Sequence, residues 1–287
     1  MAKLSKTDLR HHQSAMKLIQ ADRPLSLDET FEAFALYHEG AEGDQTGASA
    51  YFTPIDFAND MWIDTPQGGR LLDMCAGIGR LGYFASGRFR YEPEEFEEIV
   101  CVEKNPDYVE VGKRLFPEAT WICADALDPA LRRDLGKFDF AIANPPFGNT
   151  TKSEHEAPRY KGKEFDLAVM DVMATLAPSC WAIVPESRAR WDRRGTKRPS
   201  AYADRFKKAT GLDLHRFSSV DAHYHREAWR GTSPAVEIVG FGEEFESERS
   251  TSIIFETPPA GVHAMPQPVG YPSRAPESVP AQADLFA

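Results

Sequence analysis

The stretch Phe138 to Phe147, FDFAIANPPF, constrains this chain more than any other. Phe138, Phe140, Ala141 and Ile142 make a short apolar run of the kind that suits a strand covered on both faces, as in a parallel sheet packed between helices. The strand must stop at Asn144-Pro145-Pro146-Phe147, because two consecutive prolines donate nothing to a ladder and hold the chain in a rigid extended turn. At the carboxyl end of a central strand, such a turn presents an amide side chain, a proline carbonyl and an aromatic ring in fixed positions. Those groups fit an amino group on a flat heterocycle: Asn144 Oδ1 and the Pro145 carbonyl accept its two hydrogens, and Phe147 stacks on the ring. The competing reading is a cis-proline turn with a capping Asn, and the motifs upstream weigh against it.

A strand buried on both faces needs a sizeable core. The 287 residues, 42% hydrophobic, supply one domain with additions or two small ones. Four cysteines (Cys75, Cys101, Cys123, Cys180) with no CxxC pair argue against a zinc site or a disulfide framework and for a reduced interior. The start, MAKLSKTDLRHHQ, has no apolar h-region and no stretch is long enough to span a bilayer, so the expectation is a cytoplasmic protein without a membrane partner. Two histidines in the HYH of His223 to His225 read as surface or nucleic-acid contacts, and no metal site is expected.

Upstream of the Pro-Pro turn, motifs fall at strand tips. Residues 1–46 read as a helical extension, with Ser26 or Asp28 as N-cap and Leu27, Phe31, Phe34 and Ala35 at helical spacing. After a Gly-rich loop, Tyr51-Phe52-Thr53-Pro54 leads into a helix over Ile55 to Trp62. RLLDMC (Arg70 to Cys75) is a strand entering Ala76-Gly77-Ile78-Gly79-Arg80-Leu81-Gly82 and a helix, a strand–glycine turn–helix unit in which backbone can approach a ligand at a helix N-terminus. Gly77, Gly79 and Gly82 satisfy GxGxxG, which alone invites a dinucleotide reading. Asp73 argues against that, since a carboxylate there repels a pyrophosphate, whereas it could receive the ammonium group or an ordered water of an amino-acid ligand. EIVCVE ends in Glu103, placed to bind the hydroxyls of a ribose. ATWIC runs into Ala124-Asp125-Ala126, where Asp125 could accept from an adenine amino group. Together these acids outline a nucleoside pocket. Further along, a helix with one apolar face covers Glu164 to Ala177, CWAIVP (Cys180 to Pro185) is a fifth strand, a helix spans Ser200 to Thr210, and Asp213 to Val220 with Ala235 to Phe241 close the sheet. The Pro-, Ala-, Gly- and Ser-rich residues 257–287 read as a disordered tail.

Taken together and in this order, YFTP, DMCAGIG, Glu103, ADA and NPPF resemble the amino-methyltransferases that modify adenine at its exocyclic nitrogen, and within them the gamma group of DNA adenine-N6 methyltransferases. The resemblance covers about Gly47 to Glu243. It implies a catalytic domain over residues 47–250 of α/β class: a seven-stranded, Rossmann-like methyltransferase sheet, mostly parallel with one antiparallel strand near the C-terminal end. It implies S-adenosyl-L-methionine as cofactor, lined by Tyr51, Thr53, Asp73, Ala76, Gly77, Gly79, Glu103, Asp125, Ala126 and Asn144. Asn144, Pro145, Pro146 and Phe147 would hold a target adenine swung out of its stack.

Members of that group usually carry a large recognition domain after the catalytic half, and little follows it here. Recognition is therefore expected from loops at the active-site edge: Gly148 to Lys163, carrying Lys152, Arg159, Lys161 and Lys163; Ser187 to Ser200, carrying Arg188, Arg190, Trp191, Arg193, Arg194, Lys197 and Arg198; and Asp221 to Ser233. Glu92, Glu94, Glu95, Glu97 and Glu98 precede a strand and belong to the opposite edge. The net charge of −11 thus conceals a basic, aromatic-bearing rim. Gln282 to Phe286 (QADLF) resembles the QLDLF-type peptide that docks on the bacterial replication sliding clamp, departing at Ala283. DNA is the expected substrate. RNA is the nearest rival, NPPFG being similar to ribosomal-RNA adenine methyltransferases; a protein glutamine side chain, a non-catalytic cofactor-binding subunit and a nicotinamide oxidoreductase follow in that order.

Overall fold

The computed structural model describes residues 5–39, 41, 51–66, 68–89, 96–149, 151–191, 195–216, 220–229 and 234–247. Among them the chain runs α1 (Lys6–Ile19), α2 (Leu27–Leu36), α3 (Ile55–Met61), β1 (Arg70–Met74), α4 (Arg80–Ala85), β2 (Glu98–Glu103), α5 (Pro106–Leu115), β3 (Thr120–Cys123) and α6 (Pro129–Asp134). It continues through β4 (Phe140–Ala143), α7 (Phe165–Leu176), β5 (Ser179–Pro185), α8 (Ala201–Thr210), β6 (His215–Arg216), β7 (Val236–Phe241) and α9 (Glu243–Ser247). The seven strands form one sheet in the order β3-β2-β1-β4-β5-β7-β6. Pairing is parallel from β3 through β5, and β7 runs antiparallel to both β5 and β6. This is the expected α/β sheet with its single reversed strand.

Period-2 alternation divides the core into two layers. Leu71, Ile99, Cys101, Ile142, Trp181 and Ile183 face one layer, shared with Phe34 and Tyr37 of the α2 region, Phe57 of α3 and Phe84 of α4. Leu72, Met74, Val100, Val102, Ala141, Ala143, Cys180 and Ala182 face the other, shared with Leu131 of α6, Val169 and Met173 of α7 and Phe206 of α8. The N-terminal helices therefore contribute to the first core layer. Helix starts carry the expected chemistry. Ser26 and Glu29 form a reciprocal capping box at α2, and Asn105 and Asp128 cap α5 and α6 with proline in the first turn.

Two expectations need correction. The helix over Glu164 to Ala177 was expected to show one apolar face, but α7 is buried almost all round, with Asp166 and Asp171 at 0% exposure. Its polar positions are consumed internally: Asp166 pairs with Arg188, and Asp171 accepts from the Arg159 and Tyr160 amides and from Arg159 Nε. Of the strand expected over Asp213 to Val220, only His215–Arg216 is strand among the described residues, which do not include 217–219. Arg193, Arg194, Glu92, Glu94, Glu95 and the tail 257–287 with Gln282 to Phe286 lie outside the described residues. Among the described residues no helix is long and apolar enough to cross a membrane.

Candidate functional site

Strand order reverses between β1 and β4: from β1 the chain builds outward through β2 and β3, and β4 returns to its other side. In open α/β sheets that switch point leaves a crevice at the carboxyl ends of the two strands. Met74 and Ala143 are register partners there, so the glycine turn after β1 and the Asn144–Phe147 turn after β4 leave the sheet side by side.

The glycine turn is fixed from several directions. Cys75 takes a left-handed φ of 62°, unusual for a non-glycine residue, and Ala76 N–H donates to the Val102 carbonyl at 3.0 Å. Gly77 N–H donates to Glu103 Oε2 at 2.9 Å, and Asn105 N–H to Glu103 Oε1 at 2.8 Å. Glu103 at the β2 tip therefore clamps the turn with both carboxylate oxygens. Gly77 and Gly79 are needed for two reasons. Their φ values are 58° and 85°, and a Cβ would stand 2.7 Å from Phe52 Cε1 at Gly77 and 2.8 Å from Trp121 Cζ2 at Gly79. The protein's own rings fill those spaces, where close approach to a ligand was expected.

Asp73, expected to meet the ammonium group or an ordered water of a ligand, lies within β1. It is 0% exposed, and Oδ2 accepts from the Gly82 amide at 2.8 Å, so the carboxyl braces α4 beneath the turn. Among the described residues Oδ1 has no hydrogen-bond partner. Burial pushes the carboxyl up to about 7, against the pull of the Gly82 N–H and with the negative charge of Glu103 adding to the rise. Asp125 stands where expected at the β3 tip, but Oδ2 pairs with Lys104 at 2.9 Å and Oδ1 caps the Leu127 amide at 3.0 Å. Burial works to raise its pKa, yet the Lys104, Leu127 and Ser153 hydrogen bonds outweigh it and hold the group below its usual range. Ala76 and Ala126 are buried in the walls.

Asn144 is oriented from the YFTP segment. Its Nδ2 donates to the Tyr51 carbonyl at 2.9 Å and to Thr53 Oγ1 at 3.1 Å, which uses both amide hydrogens. The orientation follows from that network: Oδ1 is the acceptor left to face the crevice. Thr53 is buried, Tyr51 is 37% exposed, and Phe147 is half-buried against the first core layer. Among the described residues no peptide bond is cis, so Pro145 and Pro146 extend the turn in trans.

Sequence reasoning passed over Arg80. It is buried, and its guanidinium donates to the Thr53 carbonyl at 3.3 Å and to the Phe34 and Tyr37 carbonyls. A cation at the first helical position works against the helix dipole, and that misfit was the available signal.

The described arginines of the expected basic rim are paired within the protein. Arg188 is buried against Asp166 at 2.8 Å and lies over the Tyr202 ring. Arg190 pairs with Asp204 and Asp213, Arg159 with Asp171, and Arg198 with Glu186. Trp191, expected as an exposed ring, is 6% exposed, with Nε1 3.4 Å from Glu237. Lys161 meets Glu156 at the surface, and Lys152, Lys163 and Lys197 remain exposed. The arginines anchor loops because bidentate forks satisfy buried carboxylates better than they serve as free surface charge. Among the described residues no cluster of three His, Cys, Asp or Glu could hold a metal ion.

No family model and no curated protein matches the chain. Solved structures do. A modification subunit assigned to a type I restriction enzyme of Vibrio vulnificus aligns at TM-score 0.54 and 16% identity, over 77% of this chain and 51% of its own. The methyltransferase subunit of a type I restriction-modification system of Streptococcus thermophilus aligns at TM-score 0.50 and 16% identity, over 75% and 49%. This chain shares their fold. It spans about half the length of either.

Proposed function

We propose that this protein transfers a methyl group from S-adenosyl-L-methionine to the exocyclic N6 amino group of adenine in DNA. The observation that carries the reading is Asn144. A side-chain amide whose donors are both fixed by Tyr51 and Thr53 presents one oriented acceptor at the switch-point crevice, beside a proline carbonyl and an aromatic ring. The residues also fit the cofactor. The glycine turn and Glu103 form a cradle at the β1 and β2 tips, and Asp125 bounds it at β3. Bound there, the cofactor would supply an electrophilic methyl on a sulfonium.

The chain's own groups do the rest. An adenine amino lone pair is delocalised into its ring and is a weak nucleophile. Hydrogen bonds from its two N–H groups to Asn144 Oδ1 and the Pro145 carbonyl favour a pyramidal nitrogen and aim its lone pair. Phe147 offers its face to the base, which a duplex must release from its stack. The proton can leave after transfer, so the site has no need of a strong base. One aligned protein is assigned as a modification subunit of a type I restriction enzyme and the other is a methyltransferase subunit of a type I restriction-modification system, which is consistent with a DNA substrate.

The test offers labelled S-adenosylmethionine with duplex DNA, single-stranded DNA, total RNA and a protein extract, followed by digestion and mass spectrometry. N6-methyladenine in DNA is the expected product. Label confined to RNA would overturn the substrate and keep the chemistry; label in protein would overturn the base-binding role of the turn.

A further inference from the structure

Burial of Asp73 behind α4 leaves the amino-acid end of the proposed cofactor without its expected anion. An α-ammonium needs one, because a desolvated cation without a partner is costly. Besides Asp73, a second carboxylate in this region is short of partners. Glu39, just beyond α2, has a side chain only 9% exposed. Its Oε1 accepts from the Phe52 amide at 3.3 Å; among the described residues its Oε2 has no hydrogen-bond partner, and the His38 ring stands 3.9 Å away. Buried carboxylate oxygens are rarely left so, and an orphan of this kind calls for an explanation.

Its place supplies one. The Tyr51–Phe52 peptide gives its carbonyl to Asn144 and its amide to Glu39. Two hydrogen bonds joined across a single peptide put the Glu39 carboxylate within about 9 Å of the Asn144 amide. The Phe52 ring lies against Gly77, and the Tyr108 hydroxyl donates to the Glu39 carbonyl at 3.3 Å, so the backbone of Glu39 is held beside the glycine turn. In S-adenosylmethionine the ammonium hangs about 5 Å from the sulfonium. A methyl presented at Asn144 therefore leaves the ammonium within reach of Glu39.

Resting on the cofactor reading above, we propose that Glu39 Oε2 receives the α-ammonium of the amino-acid moiety of S-adenosylmethionine. A metal is a poorer occupant, since Glu39 belongs to no cluster of metal-ligating side chains among the described residues.

Calorimetry on the full-length protein tests this without turnover, using three ligands: S-adenosylhomocysteine, its analogue lacking the α-amino group, and 5′-methylthioadenosine, which lacks the whole amino-acid moiety. Wild type should prefer S-adenosylhomocysteine to the deamino analogue by about tenfold to a hundredfold, the worth of one buried charge-assisted hydrogen bond. Glu39→Gln should shrink that preference below about threefold and leave methylthioadenosine affinity unchanged. Asp73→Asn should leave the preference intact. An equal preference in wild type and Glu39→Gln would overturn the proposal while the cofactor reading stands. Equal loss of methylthioadenosine by Glu39→Gln would overturn it too, by showing that Glu39 only supports Phe52. Failure of wild type to bind any of the three would instead remove the cofactor reading itself.

Discussion

Asp73→Asn separates a structural carboxyl from a ligand-binding one by the pH dependence of stability. In the folded protein burial raises the group from 3.8 to about 7. Below the lower value the carboxyl is protonated in both folded and unfolded chains and contributes no difference. Between the two values the folded chain keeps its proton and the unfolded chain loses it, so each pH unit removes about 1.4 kcal/mol of stability. The loss reaches about 4 kcal/mol once pH passes 7. Roughly 3 kcal/mol of it falls between pH 5 and pH 8. Asparagine keeps an oxygen for the Gly82 amide and has no proton to lose. Urea unfolding of wild type and Asp73→Asn at pH 5 and pH 8 reads the effect directly, because every other titrating group cancels in the difference. The variant should gain on wild type by about 3 kcal/mol between the two pH values. A gap that is the same at both would refute the reasoning and return Asp73 to a solvated, ionised role.

Four further outcomes follow from the geometry. Asn144→Ala should abolish methyl transfer while calorimetric affinity for S-adenosylhomocysteine stays within a few-fold; retained turnover would remove the turn from the mechanism. Arg188→Met breaks a fully buried ion pair with Asp166 and should cost about 3 kcal/mol in urea unfolding, whereas a loss below 1 kcal/mol would mean that the pair braces nothing. Replacing Lys152, Lys163 and Lys197 by Gln should flatten the salt dependence of DNA binding, by about 0.9 per lysine that meets a phosphate; an unchanged slope would place the contact surface elsewhere. Gly79→Ala forces a Cβ into Trp121 at a left-handed φ and should destabilise by about 3 kcal/mol, with part of that recovered when Trp121 is shortened to Leu.

Most strand positions were legible because short apolar runs mark buried strands, and the Pro-Pro pair marked where the central strand ends; the sheet's arrangement was implied by the resemblance and not by these runs. The acids at the strand tips were legible as positions. Their partners were not. Asp73 reads in sequence as a strand-end carboxylate, and only the approach of Gly82 on α4 shows it enclosed. Arg188, Arg190 and Trp191 form a run that looks solvated, yet their partners Asp166, Asp213 and Glu237 lie 22 to 46 positions away. Long-range pairing of that kind leaves no local periodicity to read. Glu39 lay in a segment whose helical pattern had just ended, with nothing nearby in sequence to mark it.

Arg80 has a consequence for how this chain can be divided. Its guanidinium joins the Phe34 and Tyr37 carbonyls of the N-terminal extension to the Thr53 carbonyl and to the helix that closes the glycine turn. Removing the first two helices to obtain a smaller core would strand that buried cation. Under the proposed function, the extension would wall the site. Excision or exchange of residues 1–46 with a related protein should therefore register first as lost ligand affinity, before any loss of the sheet.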